Sequence, residues 1–411
     1  MKKHILLIDS TYAKNSSTPS GKIMYKFGEH LASNYPVQVT VISSIKEQDF
    51  TSRIETIYIP TQLDFFSKKR EKLIELLEVK KAFKRFIARV LLHIINHNLD
   101  SGAYKNIIDI CQFKAWLNKE ERGKYDAIVT IFAPYSNLKP SLLAKKKLRI
   151  KDFYPFIMEP WADHYSANHS NRKKRIAEEI KIFKSSKTIF CYEEYVSKSK
   201  YSRIKQFEEK TSMIPTNFLE KRIITPPING NGKVHCVYAG MFYSKIREPS
   251  NLFTYFRLLP KNYILHLYIR GNNAWIKDLS LELGERCVIH EFISDPKVFS
   301  AEMQKASVFL SIGNSIENEI PSKMIEYISY CKPIIHFINN KRDPIPQRFG
   351  KYPAILFVDY NEASEKNASK IQQFVEKIVE NKIDEREIFA QFKEYTIDYV
   401  VEKFYKSLLA K

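Results

Sequence analysis

Glycine and cysteine are scarce in this chain. Only 11 of its 411 residues are glycine and only five are cysteine, while lysine, isoleucine and asparagine are abundant, a bias typical of AT-rich bacterial genomes. The cysteines are scattered and form no Cys-x-x-Cys pair, which argues against a disulfide framework and against a zinc site. We therefore expect a protein of a reducing cytoplasm.

The sequence also has neither a membrane-spanning run nor a common catalytic motif. No stretch approaches the roughly 20 apolar residues that cross a bilayer. Asp9 ends the first apolar run too early for a signal peptide. The G-x-x-x-x-G-K-[ST] phosphate loop, the G-x-G-x-x-G fingerprint, the H-E-x-x-H zinc motif and the G-x-S-x-G nucleophile elbow are all missing. We expect a soluble or peripheral protein outside those enzyme classes.

Positive charge dominates the composition. Lys and Arg number 66 against 46 Asp and Glu, a net charge of +20. Such a chain is attracted to nucleic acid, to anionic membrane surfaces and to phosphorylated substrates. Because no nucleic-acid recognition motif accompanies the charge, we expect no nucleic acid among the partners. Solvated surface lysines are the alternative explanation of the excess.

The order of apolar runs predicts two α/β domains. A chain of this length, 44% hydrophobic and 27% charged, is long enough for two hydrophobic cores. Short β-branched runs alternate with helical patterns, as in parallel sheets. In the first domain, residues 1–225, we predict strands at 4–8, 37–42, 54–59, 126–132, 154–158, 188–192 and 212–215, with helices over 20–31 and 172–184.

A cluster of Pro and Gly at 226–232 predicts a linker. The second domain, 233–385, has predicted strands at 234–238, 264–269, 288–292, 308–312 and 334–337, and a predicted helix at 248–259. A helical tail over 386–411 follows, which can pack back on the N-terminal domain. Residues 66–100 form a basic amphipathic pattern that suits an anionic membrane surface. The alternative is that its apolar stripe packs on the first sheet.

The most informative stretch begins where the strand at 308–312 ends. A polar loop leads to a helix that opens at Pro321, Ser322 and Lys323, and a further strand follows. A helix that starts at the carboxyl end of a strand directs backbone N–H groups and its positive dipole end at one place, which suits a phosphate. Lys323 adds a charge, and the Glu326 carboxylate one turn on can accept hydrogen bonds from ribose hydroxyls. This pattern predicts a nucleoside-diphosphate site.

Several stretches resemble glycosyltransferase family 4. Residues 320–327 (IPSKMIEY) followed by 332–335 (KPII) are similar to the PSK-x-x-EY…GKPII signature of that family. Residues 214–218 (IPTNF) resemble the turn that closes its N-terminal domain, and 238–240 (YAG) with Arg247 resemble the entry to its donor domain. The resemblance implies the GT-B architecture, two Rossmann-like domains that face a central cleft.

The resemblance also implies the site and its ligand. The co-substrate would be a nucleotide-diphosphate sugar, held on the second domain without a metal or other cofactor. Arg247, with Lys245, and Lys323 would bind the diphosphate, whose negative charge grows as it departs. Ser322 and the amides of Lys323 and Met324 would contact the phosphates, and Glu326 the ribose. Ile320 and Pro321 belong to the same segment.

Comparison with the family suggests further candidate site residues, both where this chain agrees with the family and where it differs. Many members carry a second glutamate eight positions before this one, where the chain has Asn318 with Glu319 beside it, so either residue can contact the sugar. Ser20 and Gly21 stand where the family's glycine-containing loop approaches the donor, although a glycine there is also ordinary turn punctuation. The loop at 159–165 (EPWADHY) follows a strand, which makes Asp163 and His164 candidates for the acceptor side.

These patterns predict a cytoplasmic glycosyltransferase, peripheral at the inner face of the cell membrane. It would move a sugar from a nucleotide diphosphate, such as UDP, to a hydroxyl of a lipid-linked or cell-surface glycan, with retention implied by the resemblance. Two alternatives stay open: a GT-B nucleotide-sugar epimerase, and a non-catalytic partner that keeps the fold for binding.

Overall fold

The computed structural model describes residues 2–14, 16, 18–46, 53–61, 108–132, 137–158, 161–162, 172–192, 202–222, 232–242, 246–269, 274–291, 293–315, 323–378 and 383–410. The chain divides into two compact units, Met1–Ile214 with Ile397–Lys411, and Pro215–Thr396. The predicted amphipathic region 66–100 lies outside the described residues. So does the predicted linker 226–232, apart from Gly232.

The first unit is built on a parallel sheet of seven strands. In chain order they are β1 (Lys3–Ile8), β2 (Val37–Ser43), β3 (Ile54–Tyr58), β4 (Ala127–Ile131), β5 (Asp152–Ile157), β6 (Ile189–Tyr192) and β7 (Thr211–Ile214). Their order across the sheet is β3-β2-β1-β4-β5-β6-β7. Each predicted strand of this half is confirmed within a residue or two. The buried residues of β1 (5–8) are all apolar, and those of β4 are apolar except Thr130, because helices cover both faces of a parallel sheet.

The first unit has five described α-helices, two of which begin at clear capping signals. They are α1 (Pro19–Asn34), α2 (Ile110–Leu117), α3 (Leu138–Leu148), α4 (Arg172–Ser185) and the single turn α5 (Ser202–Lys205). The Thr18 hydroxyl accepts from the amide of Gly21, and Pro19 occupies the first turn of α1. The Asp109 carboxylate accepts from two amides of α2. Our patterns gave α1 and α4 and missed α2 and α3.

The second unit has a parallel sheet of six strands. They are β8 (Val234–Gly240), β9 (Tyr263–Ile269), β10 (Cys287–His290), β11 (Val308–Ile312), β12 (Ile334–Ile338) and β13 (Ile355–Asp359). Their order is β10-β9-β8-β11-β12-β13. The first five confirm predicted strands, whereas β13 was not predicted. All of its residues except Val358 are only partly buried, as suits a strand at the edge of the sheet.

Helices of the second unit flank this sheet. They are α6 (Ser250–Leu258), α7 (Ala274–Leu281), α8 (Pro296–Gln304), α9 (Lys323–Ile328), α10 (Ile345–Phe349), α11 (Ser364–Ile378) and α12 (Glu385–Gln391). The core of this unit lies on both faces of the sheet, one side closed by α6 and α11 and the other by α9 and α12. The short α9 therefore sits directly against the core.

The C-terminal tail forms two helices rather than one. After α12, the backbone leaves the helical region at Phe392 and turns extended at Thr396. The last helix, α13 (Ile397–Leu409), then packs on α1 and belongs to the first unit. Its Phe404 is fully buried, with its ring centroid 5.2 Å from that of Phe27 and 4.9 Å from that of Tyr154.

Candidate active site

The carboxyl edge of the second sheet has the topology of a ligand site. The chain runs outward from β8 in both directions, to β9 on one side and to β11 on the other. At such a switch point the loops that follow the two strands run in opposite directions. Open α/β sheets bind their ligands in the crevice between such loops. Arg247 follows β8, and Asn314 follows β11. Helix α9 begins in the next described segment.

Arg247 reaches across this switch point to the loop after β11. Its Nε and Nη2 both donate to Oδ1 of Asn314, at 3.1 and 2.6 Å. The main chains are joined as well, because the amide of Ser315 donates to the carbonyl of Ile246 at 2.7 Å. Asn314 is only 6% exposed. The guanidinium is therefore held against the sheet edge by a neutral amide oxygen.

The loop that carries Asn314 is held at its start by the contacts of Gly313. Gly313 donates its amide to the carbonyl of Phe337 at 2.9 Å. A Cβ at Gly313 would lie 2.1 Å from Oδ2 of Asp343, so only glycine fits under that carboxylate. Asp343 is itself held, because its Oδ2 lies 2.8 Å from Nε2 of His336 and its Oδ1 accepts from the amide of Ile345. These buried contacts hold the start of the loop in place.

Helix α9 is attached to the same edge through Tyr327. The Tyr327 hydroxyl accepts from the amide of Ala239 at 2.9 Å and donates to the carbonyl of that residue at 3.2 Å. The ring stacks on Phe309, with 4.4 Å between centroids. Burial raises the pKa of the Tyr327 phenol well above its usual value. The helix is thus anchored to β8 and β11 by one side chain.

Lys323 and Glu326 share the partly exposed face of α9. They are three positions apart and therefore neighbours on the helix. The Lys323 ammonium lies 2.7 Å from Oε2 of Glu326, and it also lies over the ring of Phe299 at 4.6 Å from its centroid. We assigned the two residues to different parts of the ligand, whereas here they bind each other. A pair of this kind contributes about 0–1 kcal/mol, so it can open when a ligand competes.

Most of the other predicted donor residues lie outside the described part of the chain. These are Lys245, Asn318, Glu319, Ile320, Pro321 and Ser322. The acceptor candidates Asp163 and His164 also lie outside it. Met324 is described, and its side chain is fully buried in the core on the α9 side of the sheet. Only its backbone amide is left for the predicted phosphate contact.

Ser20 and Gly21 lie in the first unit, in the first turn of α1 rather than in a loop before it. A Cβ at Gly21 would lie 2.2 Å from the carbonyl oxygen of Thr11 and 2.4 Å from Oγ of Ser16. Glycine is therefore required at position 21 because α1 packs closely against the residues that precede it, Thr11 and Ser16. The predicted contact of Ser20 and Gly21 with the donor stays a prediction.

The first sheet has a polar residue at its own switch point, between β1 and β4. Asp9 follows β1 and is fully buried. Its Oδ1 accepts from the amide and hydroxyl of Thr11, while its Oδ2 has no hydrogen-bond partner among the described residues. Burial raises the pKa of this carboxyl to about 6, although the hydrogen bonds from Thr11 and Asn137 lower it.

Sequence reasoning missed Asn314, Asp343 and Asp9. A usable signal existed for Asn314 and Asp9, because each is a polar residue within two positions of the end of a buried strand. No such signal existed for Asp343, which reaches Gly313 from a separate loop 30 residues along the chain. Within the described ranges no cluster of His, Cys, Asp and Glu could hold a metal ion. No described helix is long and apolar enough to cross a membrane.

No family model and no curated protein matches the chain. Solved structures match it over its whole length. A glycosyltransferase from Rickettsia africae ESF-5 is 15% identical with a TM-score of 0.56, over 100% of this chain and 99% of that chain. The N-terminal domain of Candida albicans trehalose-6-phosphate phosphatase is 10% identical with a TM-score of 0.61, over 100% and 97%. A variant of S. aureus TarM, solved with fondaparinux, alpha-GlcNAc-glycerol and UDP, is 11% identical with a TM-score of 0.58, over 99% and 100%.

These similarities establish the fold. Two parallel-sheet units of seven and six strands match glycosyltransferases of GT-B architecture, so the predicted fold class is confirmed. At 15% identity or less, the likeness does not single out glycosyltransferase family 4, which stays a prediction.

Proposed function

We propose that this protein is a glycosyltransferase that binds a nucleotide-diphosphate sugar at the carboxyl edge of β8 and β11. The observation that carries the proposal is Arg247, a guanidinium held on a neutral amide at the switch point of the second sheet. Guanidinium groups suit phosphates because several N–H donors lie in one plane. A site built in this way would bind the diphosphate and stabilise the charge that develops as it leaves.

Lys323 and Glu326 extend this proposal along α9. In the structure they pair with each other. With a donor bound, Lys323 would turn to the phosphates and Glu326 would accept hydrogen bonds from the ribose hydroxyls. Each side chain would exchange one polar partner for another, so the largely buried Glu326 carboxylate (14% exposed) would not be left without a partner. Arg247 and Lys323 would then stabilise the negative charge of the departing diphosphate without a metal.

The finer parts of the proposal concern the sugar, the acceptor and the cellular site. UDP is the first donor nucleotide to test, because the matched TarM structure contains UDP. We propose a lipid-linked or cell-surface glycan hydroxyl as the acceptor, with Asp163 and His164 on the acceptor side and retention of configuration. The protein would be cytoplasmic, at the inner face of the membrane.

The first unit offers a surface for such a membrane. Helices α2 and α3 pack together, and their exposed residues and those of the adjoining turns are mostly basic. The exposed Lys and Arg residues are Lys114, Lys119, Arg122, Lys139, Lys146, Lys147, Arg149 and Lys151. Clustered cations of this kind are attracted to anionic headgroups. The acceptor would then be presented at the same surface.

Calorimetric titration of the full chain with UDP and GDP tests the donor site. We expect saturable binding of one of them, and Arg247→Ala should weaken it about 10- to 100-fold, because a charged hydrogen-bond donor to the diphosphate is lost. Arg257→Ala is the matched control, since Arg257 is exposed at the end of α6 and pairs with Glu282. Binding of neither nucleotide would refute the donor site.

Turnover assays separate the activities. Release of nucleoside diphosphate from a sugar nucleotide only when a glycan acceptor is added would support transfer. Conversion of the sugar nucleotide without any acceptor would support an epimerase instead. Tight binding with no turnover across a panel of donors and acceptors would support a non-catalytic partner.

A further inference from the structure

We infer that Asn314 is a positioning residue of the proposed donor site: its neutral amide holds the Arg247 guanidinium without cancelling its charge. The inference rests on the proposed function, because it assigns Asn314 a role in binding that donor. Nothing in the sequence patterns named Asn314, and its role follows from its contacts alone.

Among the described residues, the hydrogen-bond partners of Arg247 are uncharged oxygens. Asn314 Oδ1 accepts from Nε and Nη2, and the carbonyl of Met241 lies 3.5 Å from Nη1. In the part of the chain that the structure describes, Arg247 forms no ion pair. An arginine has five N–H donors, so this arrangement fixes one edge of the guanidinium, and no described carboxylate cancels its charge.

A second arginine in the same chain shows the alternative. Arg203, in the first unit, uses the same two nitrogens on one oxygen, with Nε 3.1 Å and Nη2 3.0 Å from Oε2 of Glu179. That acceptor is a carboxylate and only 1% exposed, so the pair is neutral overall. Geometry alone would therefore be satisfied by Asp at position 314. Unlike a carboxylate, the amide leaves a net positive charge at the site.

Asn314 is itself held firmly enough to position another residue. Its carbonyl accepts from Nδ2 of Asn340 at 3.0 Å, and the next residue, Ser315, is bonded to the carbonyl of Ile246. Gly313, before it, lies under the Asp343 carboxylate. A preorganised guanidinium binds an anion without first having to be ordered, which favours affinity.

The test compares Asn314→Asp and Asn314→Ala with the wild-type full chain, by calorimetry with UDP, GDP, uridine and guanosine. Asn314→Asp keeps an acceptor for Arg247 and adds a negative charge. We expect it to weaken binding of the nucleoside diphosphate at least about ten-fold, with the affinity for the nucleoside and the melting temperature unchanged. Asn314→Ala should cause a smaller loss, because the charge remains but is no longer held.

A double-mutant cycle shows whether Asn314 acts through Arg247. In an Arg247→Ala background, Asn314→Ala should add no further loss of diphosphate affinity. The inference is overturned if Asn314→Asp binds the diphosphate within two-fold of wild type, or if nucleoside affinity falls equally, which would indicate a merely structural role. If the wild type binds neither UDP nor GDP, the proposed function fails and this inference fails with it.

Discussion

Single residues in this protein differ in what happens to their charge on folding. Arg247 keeps its charge on a neutral amide, whereas Arg203 is neutralised by Glu179. Asp9 is fully buried with one oxygen unpartnered among the described residues, and burial raises its pKa to about 6 from the usual 3.8. Asp9 is therefore protonated more readily in the folded state than in the unfolded state.

Asp9→Asn should change the pH dependence of stability. Between pH 3.8 and about 6 the folded state binds more protons at Asp9 than the unfolded state, so its contribution to stability is lost as pH rises through about 6. The amide removes this buried charge. We expect the variant to gain about 1–2 kcal/mol at pH 7.5 relative to wild type, and less at pH 5, by urea denaturation.

Asp126→Asn is the control for this measurement. Burial acts to raise the pKa of Asp126, but hydrogen bonds from Lys3 and from the amide of His4 outweigh it and lower the pKa. Loss of that carboxylate should therefore destabilise the protein at pH 7.5, the opposite sign. A stability gain from Asp9→Asn that does not vary with pH would contradict the assignment.

At the scale of elements, strand register brings together groups that lie far apart in sequence. Three histidines on β8, β9 and β10 form a line across the sheet: Nδ1 of His235 lies 2.9 Å from Nε2 of His266, whose Nδ1 lies 2.9 Å from Nε2 of His290. Each lies two register positions beyond the previous one. Burial lowers the pKa of all three, that of His266 to about 4, to which the neighbouring imidazoles contribute.

These histidines should make the second unit sensitive to acid. Because the folded pKa of His266 is lowered from 6.5 to about 4, the unfolded state binds more protons in that window, and stability is lost as pH falls through it. We expect a loss on the order of 1–3 kcal/mol between pH 7 and pH 4.5. Lys233, Glu302 and Lys305 also face the line and modulate the shift.

Hydrogen exchange of β8 to β10 at the two pH values measures this loss locally. His266→Leu should flatten the pH dependence of exchange in these strands. His30→Leu, in the first unit, is the matched control and should leave it unchanged. An equal pH dependence in wild type and His266→Leu would show that other groups are responsible.

At the scale of the whole molecule, the chain leaves its first unit at Ile214 and returns to it at Ile397. Helix α13 completes that unit. Phe404 lies within 6.0 Å, centroid to centroid, of Phe27, Tyr154 and Phe190. The hydroxyls of Thr188 and Ser407 lie 2.6 Å apart. The buried face of α13 is thus part of the core of the first unit.

Phe404→Ala should therefore destabilise the first unit by about 3–5 kcal/mol, since a fully buried ring is removed and leaves a cavity. Hydrogen exchange should increase in α1, β5 and β6 and not in β11 and β12. Leu409→Ala is the control, because Leu409 is 54% exposed on the same helix. An equal effect on the strands of both units would contradict this assignment.

The sequence by itself determined the alternation of strands and helices, the two parallel-sheet domains and the presence of a cationic helix start after β11. These follow from local periodicity, because apolar runs and turn residues report burial and chain reversal over a few positions. Strand β13 was not predicted from the sequence, because its burial is incomplete.

Only the tertiary structure decided which side chains meet. Asn314 lies 67 residues from Arg247, and His336 and Asp343 reach the loop of Gly313 through strand order and register. The same holds for Lys323 and Glu326, whose spacing makes them neighbours but whose pairing with each other depends on what else is near. Contacts such as that of Asn314 with Arg247 join residues that are far apart in the sequence and are brought together by the order of the strands. A pattern over a few neighbouring positions cannot predict them. The cation was therefore predictable from the sequence, and Asn314 could be noticed as a polar residue at a strand end, but the contact between the two could not be predicted.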